Sequence, residues 1–158
     1  MTPFFIIQTL GIIFIALLIS TREDNVIFLI YRGINMSLSL IFRLQAAFAA
    51  IWGLQLIFIP GMVFAQYQWG YSAELVAIAQ ATGTAMVGLA ILAYGMPNWT
   101  SEDQLKVAAK SFGVIAVLFL IMQLYQILIS GMAPGGAMDW ISTIVTALFA
   151  VGFFMKSS

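Results

Sequence analysis

The side chains in this sequence that could do chemistry are mostly amides. Gln8, Gln45, Gln55, Gln80, Gln123 and Gln126 all lie within or beside long apolar runs. An amide in hydrocarbon must find a hydrogen-bond partner or lose its hydration at a net cost, so these groups are expected to face protein, pigment or lipid polar groups. Gln123, Gln126 and Ser130 recur at steps of three and four, which puts them along one helical face. They read either as an interhelical hydrogen-bond seam or as a small polar pocket closed by Gln55 and Gln80. Gln80, Thr84 and Gly88 follow one another at four-residue spacing, with Ala81 and Ala85 beside them. That face is narrow enough for close helix contact inside the protein or at a subunit boundary. A substrate passage along the same stripe is the alternative.

Glu74 and Asp139 are acids close to the predicted starts of helices, where solvation, capping and the favourable helix field account for them. A proton relay or cation site requires one of them to sit deeper. The chain contains no histidine and no cysteine. Haem held by this chain's own His or Cys, zinc–thiolate sites and iron–sulfur clusters are therefore excluded. The usual general base near neutral pH and the usual thiol nucleophile are missing as well, which weighs against a catalyst. No catalytic residue and no metal-ligand set is assigned. A bound lipid or pigment stays open, because glutamine, asparagine or a backbone carbonyl can ligate magnesium. The glycines of Gly131–Gly136 lack the lysine and the preceding strand of a phosphate loop. The six basic residues are spread over three regions and form no nucleic-acid patch.

Elements that position these groups must be membrane helices. Of 158 residues, 63% are hydrophobic and 8% charged, and the mean hydropathy is +1.06, more apolar surface than a small soluble core buries. Uncharged runs cover 1–21, 44–73, 75–101, 111–138 and 140–155. Each reaches or approaches the roughly 20 residues that carry a helix across hydrocarbon. The runs do not alternate as transmembrane strands do. The pattern predicts an all-α integral membrane protein, a single helical domain over 1–158. Its five transmembrane helices are expected near 3–21, 36–60, 72–95, 105–131 and 138–156, in a compact bundle. The first run lacks the basic flank and small-residue cleavage site of a signal peptide and is read as a mature helix.

Local signals set the breaks. Pro60-Gly61 interrupts the second run, Gly95 and Pro97 close the third, and Gly131, Pro134, Gly135 and Gly136 end the fourth. Ser101 and Gln104 have capping-box spacing, and Asp139 is the expected cap of the last helix. Residues 22–35 carry Arg22 and Arg32 and read as an interfacial segment, with arginine stems reaching toward headgroups. Arg43, Trp69, Glu74, Trp99 and Asp139 are further interfacial residues. All six basic residues fall on one side of a five-crossing arrangement, so the amino terminus is expected outside and the carboxyl terminus inside. A bacterial inner membrane or an organellar membrane fits.

Residues 44–156 resemble the small four-helix membrane proteins of the DoxX-like type and related uncharacterised families. The resemblance rests on the Pro60-Gly61 break, on Gln80-Ala81-Thr82-Gly83 leading to Gly88-Leu89, and on the hairpin order. Gln80 stands where those proteins often carry arginine ahead of the glycine, so a redox-partner role is not carried over. Two functional classes follow. An accessory or structural subunit of a larger membrane complex, without catalysis of its own, is the leading expectation; its partners are lipids and other membrane subunits or further copies of itself. The alternative is a small transporter, channel or lipid-handling protein, which needs a connected polar cavity.

Overall fold

The computed structural model describes residues 36–158. The expected first helix (3–21) and the interfacial segment (22–35), with Gln8, Arg22 and Arg32, lie outside the described residues. Every regular element among the described residues is helical: α1 (Leu38–Phe58), α2 (Pro60–Gln66), α3 (Ala73–Trp99), α4 (Glu102–Leu128) and α5 (Ala137–Lys156). Four of them, α1, α3, α4 and α5, are long and apolar enough to cross a membrane. With 20 or 21 residues, α1 and α5 extend about 30 Å, the thickness of the hydrocarbon. The 27 residues of α3 and α4 extend about 40 Å, so their polar ends reach beyond it.

The breaks follow local chemistry. Pro60 cannot supply the N–H that would continue α1, but at the first position of α2 none is required. The capping box of α4 forms as expected: Ser101 N–H donates to Gln104 Oε1 at 3.1 Å, and Gln104 N–H to Ser101 Oγ at 3.4 Å. Two boundaries differ from expectation. α3 does not close at Gly95 but runs through Pro97 to Trp99, because the missing proline N–H falls in a last turn finished by Thr100, whose N–H and hydroxyl both donate to Met96 O. Gly95 is kept free of a side chain by the Trp99 ring folded against it. At α5 the cap is Gly136. Asp139 acts from the third helical position, its Oδ2 accepting the Gly136 N–H at 2.9 Å.

Successive long helices are antiparallel and form two tight pairs, α1 with α3 and α4 with α5. Glycine decides the first pair. A Cβ on Gly83 would stand 2.6 Å from Gly53 O, and one on Gly53 2.8 Å from Gly83 O, so the two backbones meet directly. Ala79, Ala90 and Ala93 extend this buried face of α3. Of the two places expected for Gln80, Thr84 and Gly88, the inside of the protein is therefore ruled out among the described residues, and the subunit boundary stands. All three are exposed, and a Cβ on Gly88 would meet nothing within 4 Å. Gly83 and Gly88 are five residues apart, about 140° around the helix, so only one can face α1.

The pairs join at the end of the bundle where α1 and α4 begin. Ile41, Phe42, Ala46, Ala93, Leu105, Ala109, Phe112 and Phe153 form its buried core. The Phe42 ring lies edge-on to Phe112 and Phe153, with centroids 5.1 and 4.9 Å away. At the opposite end, Trp69 Nε1 donates to Met132 O at 3.3 Å, linking the loop after α2 to the loop after α4.

Candidate functional site

Between the phenylalanine core and the Trp69 loop, the two pairs separate around a cavity of about 390 Å³. This lies in the lower part of the range of ligand sites, about 300–1,000 Å³. Its walls run from Leu75 to Leu89 on α3 and from Ile127 to Ile115 on α4, a depth of roughly 20 Å. The middle is apolar: Phe48, Ala49 and Trp52 of α1, Ala79 and Met86 of α3, and Ala116 of α4. Gln45 brings an amide to the deep end.

Polar groups gather at the mouth. Asp139, Ser142 and Thr143 come from the first turns of α5, Gln123 and Gln126 from the last turns of α4, and Tyr67 from the end of α2. Asp139, in the first turn of α5, is 6% exposed, and it lines the cavity wall. The turn of α5 directs it inward while the Gly136 N–H holds one oxygen. The Tyr67 phenol stands near the same carboxylate. Burial first, and then the negative charge of Asp139, hold the phenol proton well above the ordinary tyrosine range. Tyr67 and Trp69 stack at 5.1 Å over the mouth, and Gln68 between them adopts φ 55. Such a left-handed residue costs about 1 kcal/mol, and here it lets neighbouring aromatic rings lie face to face.

Of the residues singled out in the sequence, the cavity brings together Gln45, Gln123, Gln126, Asp139 and Trp69. Gln123 Nε2 donates to Ser142 Oγ at 3.4 Å, while its buried Oε1 has no partner. Ser130 turns back to Gln126 O within its own helix. Gln55 and Gln80 do not close this pocket. Gln55 is 5% exposed but lines no part of the cavity, and Gln80 Nε2 donates to Ile57 O at 3.2 Å on the outer surface. Thr84 Oγ1 donates to Gln80 O. Arg43 is half-buried near the start of α1, and Trp99 is exposed at the end of α3. Glu74 is exposed at the start of α3. Tyr67, Ser142, Thr143 and Trp52 were not singled out as members of one site. No periodic signal could join them, because they come from three different segments.

The cavity also has a side. Lining residues from α1 and α5 are buried or half-buried, whereas Ile78 and Thr82 on α3 and Phe119 and Met122 on α4 are exposed. α3 and α4 barely touch, although two residues connect them at the far end. The opening therefore faces sideways, between α3 and α4. Among the described residues no group of three His, Cys, Asp or Glu is placed to hold a metal ion.

No family profile, no curated protein and no solved structure matches this chain.

Proposed function

We propose that this integral membrane protein holds one small amphiphilic molecule, drawn sideways from the bilayer, in the cavity between its two helix pairs. Of the readings weighed from sequence this is the lipid-handling one. The observation that carries it is the cavity itself: apolar along its length, polar at its mouth, and backed by Phe42, Phe112 and Phe153. A solvent channel fits poorly, because those rings fill the axis on the inner side of the cavity. The lateral gap suits a molecule already dissolved in lipid. The proposal assigns binding and transfer, with no bond-making step.

Ala116 is 5% exposed on the cavity wall, so Ala116→Trp fills the space from inside. Native mass spectrometry after mild extraction is expected to find an amphiphile on the wild-type protein and none on a folded Ala116→Trp variant. Equal loading of both proteins, or an unloaded wild type, contradicts the proposal.

An accessory role in a larger membrane assembly is the second reading, favoured by the open outer face of α3 at Thr84, Ala85 and Gly88. The same mild extraction, followed by native separation, decides whether the chain travels alone. For orientation we propose a cytoplasmic carboxyl terminus, or its organellar equivalent. Arg43, Lys106, Lys110 and Lys156 all belong to the helix ends at the phenylalanine side, as the positive-inside tendency requires. Site-directed labelling from each side of the membrane reads this orientation directly.

A further inference from the structure

The polar mouth of the cavity offers acceptors in the buried Gln123 Oε1 and the Asp139 carboxylate, beside the Ser142 hydroxyl and the Gln126 amide, which can also donate. The Thr143 hydroxyl donates to Asp139 O, and the Thr146 hydroxyl to Ser142 O. The Tyr67 phenol lines the same end beside Asp139. Gln123 uses its amide N–H on Ser142 and leaves Oε1 buried without a donor. A buried acceptor left in that state costs about 1–3 kcal/mol, so a ligand that donates to it gains what the protein alone lacks.

Charge narrows the choice further. Among the described residues Asp139 is the one acid that lines the cavity, and no basic residue lines it. The start of α5 would ordinarily attract an anion through its free N–H groups. Here the chain's own carboxylate takes the Gly136 N–H. An anionic head entering the mouth therefore meets a like charge, with no cation beside it among the described residues and with the Gly136 N–H already taken.

We propose that the molecule held here is a single-chain amphiphile whose head donates hydrogen bonds and carries no negative charge, a hydroxyl or an amine. Its head lies against Gln123 Oε1 and the Asp139 carboxylate, and its chain runs along Trp52, Ala79 and Ala116 toward the phenylalanine core. The cavity volume of about 390 Å³ suits one such chain and is small for a two-chain phospholipid. This inference rests on the proposed function and adds the chemistry of the ligand to it.

The test uses the full-length protein in mild detergent and four probes of equal chain length: an alcohol, an amine, a methyl ether and a carboxylate. Bound probe is counted by native mass spectrometry. The alcohol or the amine, or both, should be retained about tenfold better than the ether and the carboxylate, the ratio that one net hydrogen bond of about 1.4 kcal/mol supplies. Whichever of the two is retained identifies the source of the donor. Gln123→Leu should reduce this preference while leaving the fold intact. Asp139→Asn, which keeps an oxygen for the Gly136 N–H, should raise retention of the carboxylate probe. Retention of all four probes alike overturns the headgroup assignment and leaves amphiphile binding standing. Retention of none overturns both.

Discussion

At one end of the bundle Phe42, Phe112 and Phe153 fill the axis, and at the other the same four helices leave room for about 390 Å³ of cavity. Both ends are built from apolar helices of membrane-spanning length, so hydrophobicity does not distinguish them. Side-chain size and connection do. At the closed end, alanines at 46, 93 and 109 bring the backbones near enough for three rings to meet edge to face. At the open end α2 and two loops separate the helix ends, and the gap is spanned by Trp69 donating to Met132 O and by Tyr67 at Asp139. The closed end supplies stability through dense packing. The open end gives some of that up for a site.

Substitutions should separate the two ends. The largest effect is expected for Phe153→Ala, which removes a fully buried ring from the closed end. In lipid the transfer part of the usual Phe→Ala loss shrinks, while the lost packing remains, for a cost of about 2 kcal/mol. Unfolding in mild detergent measures it. Gly88→Leu, made on the open outer face of α3, should shift the isolated chain by no more than about 0.5 kcal/mol. A Gly88→Leu variant as unstable as Phe153→Ala would mean that α3 presents a different face to the bundle.

A smaller effect belongs to Tyr67, at the mouth. Its pKa is raised, so its contribution is complete below the unfolded tyrosine value of 10.0 and is lost as pH rises from there through the higher folded value. The stability of the wild type minus that of Tyr67→Phe should be about 1 kcal/mol near neutral pH and should decline above pH 10.0. The difference between the two proteins cancels the other tyrosines. A difference that stays constant through the alkaline range would show that the phenol is neither buried nor close to the Asp139 carboxylate.

How much of this could be read from the sequence depends on the range of the physics involved. The capping box at Ser101 and Gln104, the break at Pro60 and the crossing helices beyond it are local, set by residues a few positions apart, and they were legible. Choosing Gly83 over Gly88 as the contact of α3 was not. Both lie among small residues, and only the position of Gly53 on α1 selects between them. Gln123 and Gln126 were legible as polar groups needing partners. That they converge with Tyr67 and Asp139, and that Gln55 and Gln80 stay away, depends on helix rotation and depth, which spacing along one helix does not encode. Asp139 was legible as a group serving the start of the last helix, but its acting from the third position on the Gly136 N–H, and its place in a cavity wall, depend on the local turn and on the packing of other helices.

The most direct test of the central claim uses Trp52, which lies in the cavity wall, as the sole tryptophan, with Trp69, Trp99 and Trp140 replaced by phenylalanine. The protein is placed in nanodiscs and titrated with a single-chain alcohol brominated at mid-chain, and Trp52 fluorescence is recorded. An amphiphile bound between the helix pairs predicts quenching that saturates and that Ala116→Trp abolishes, once the fluorescence of the added indole is subtracted. Quenching that grows in proportion to the alcohol in the bilayer, and is the same with and without Ala116→Trp, would mean that Trp52 meets bulk lipid and that the cavity holds nothing of its own.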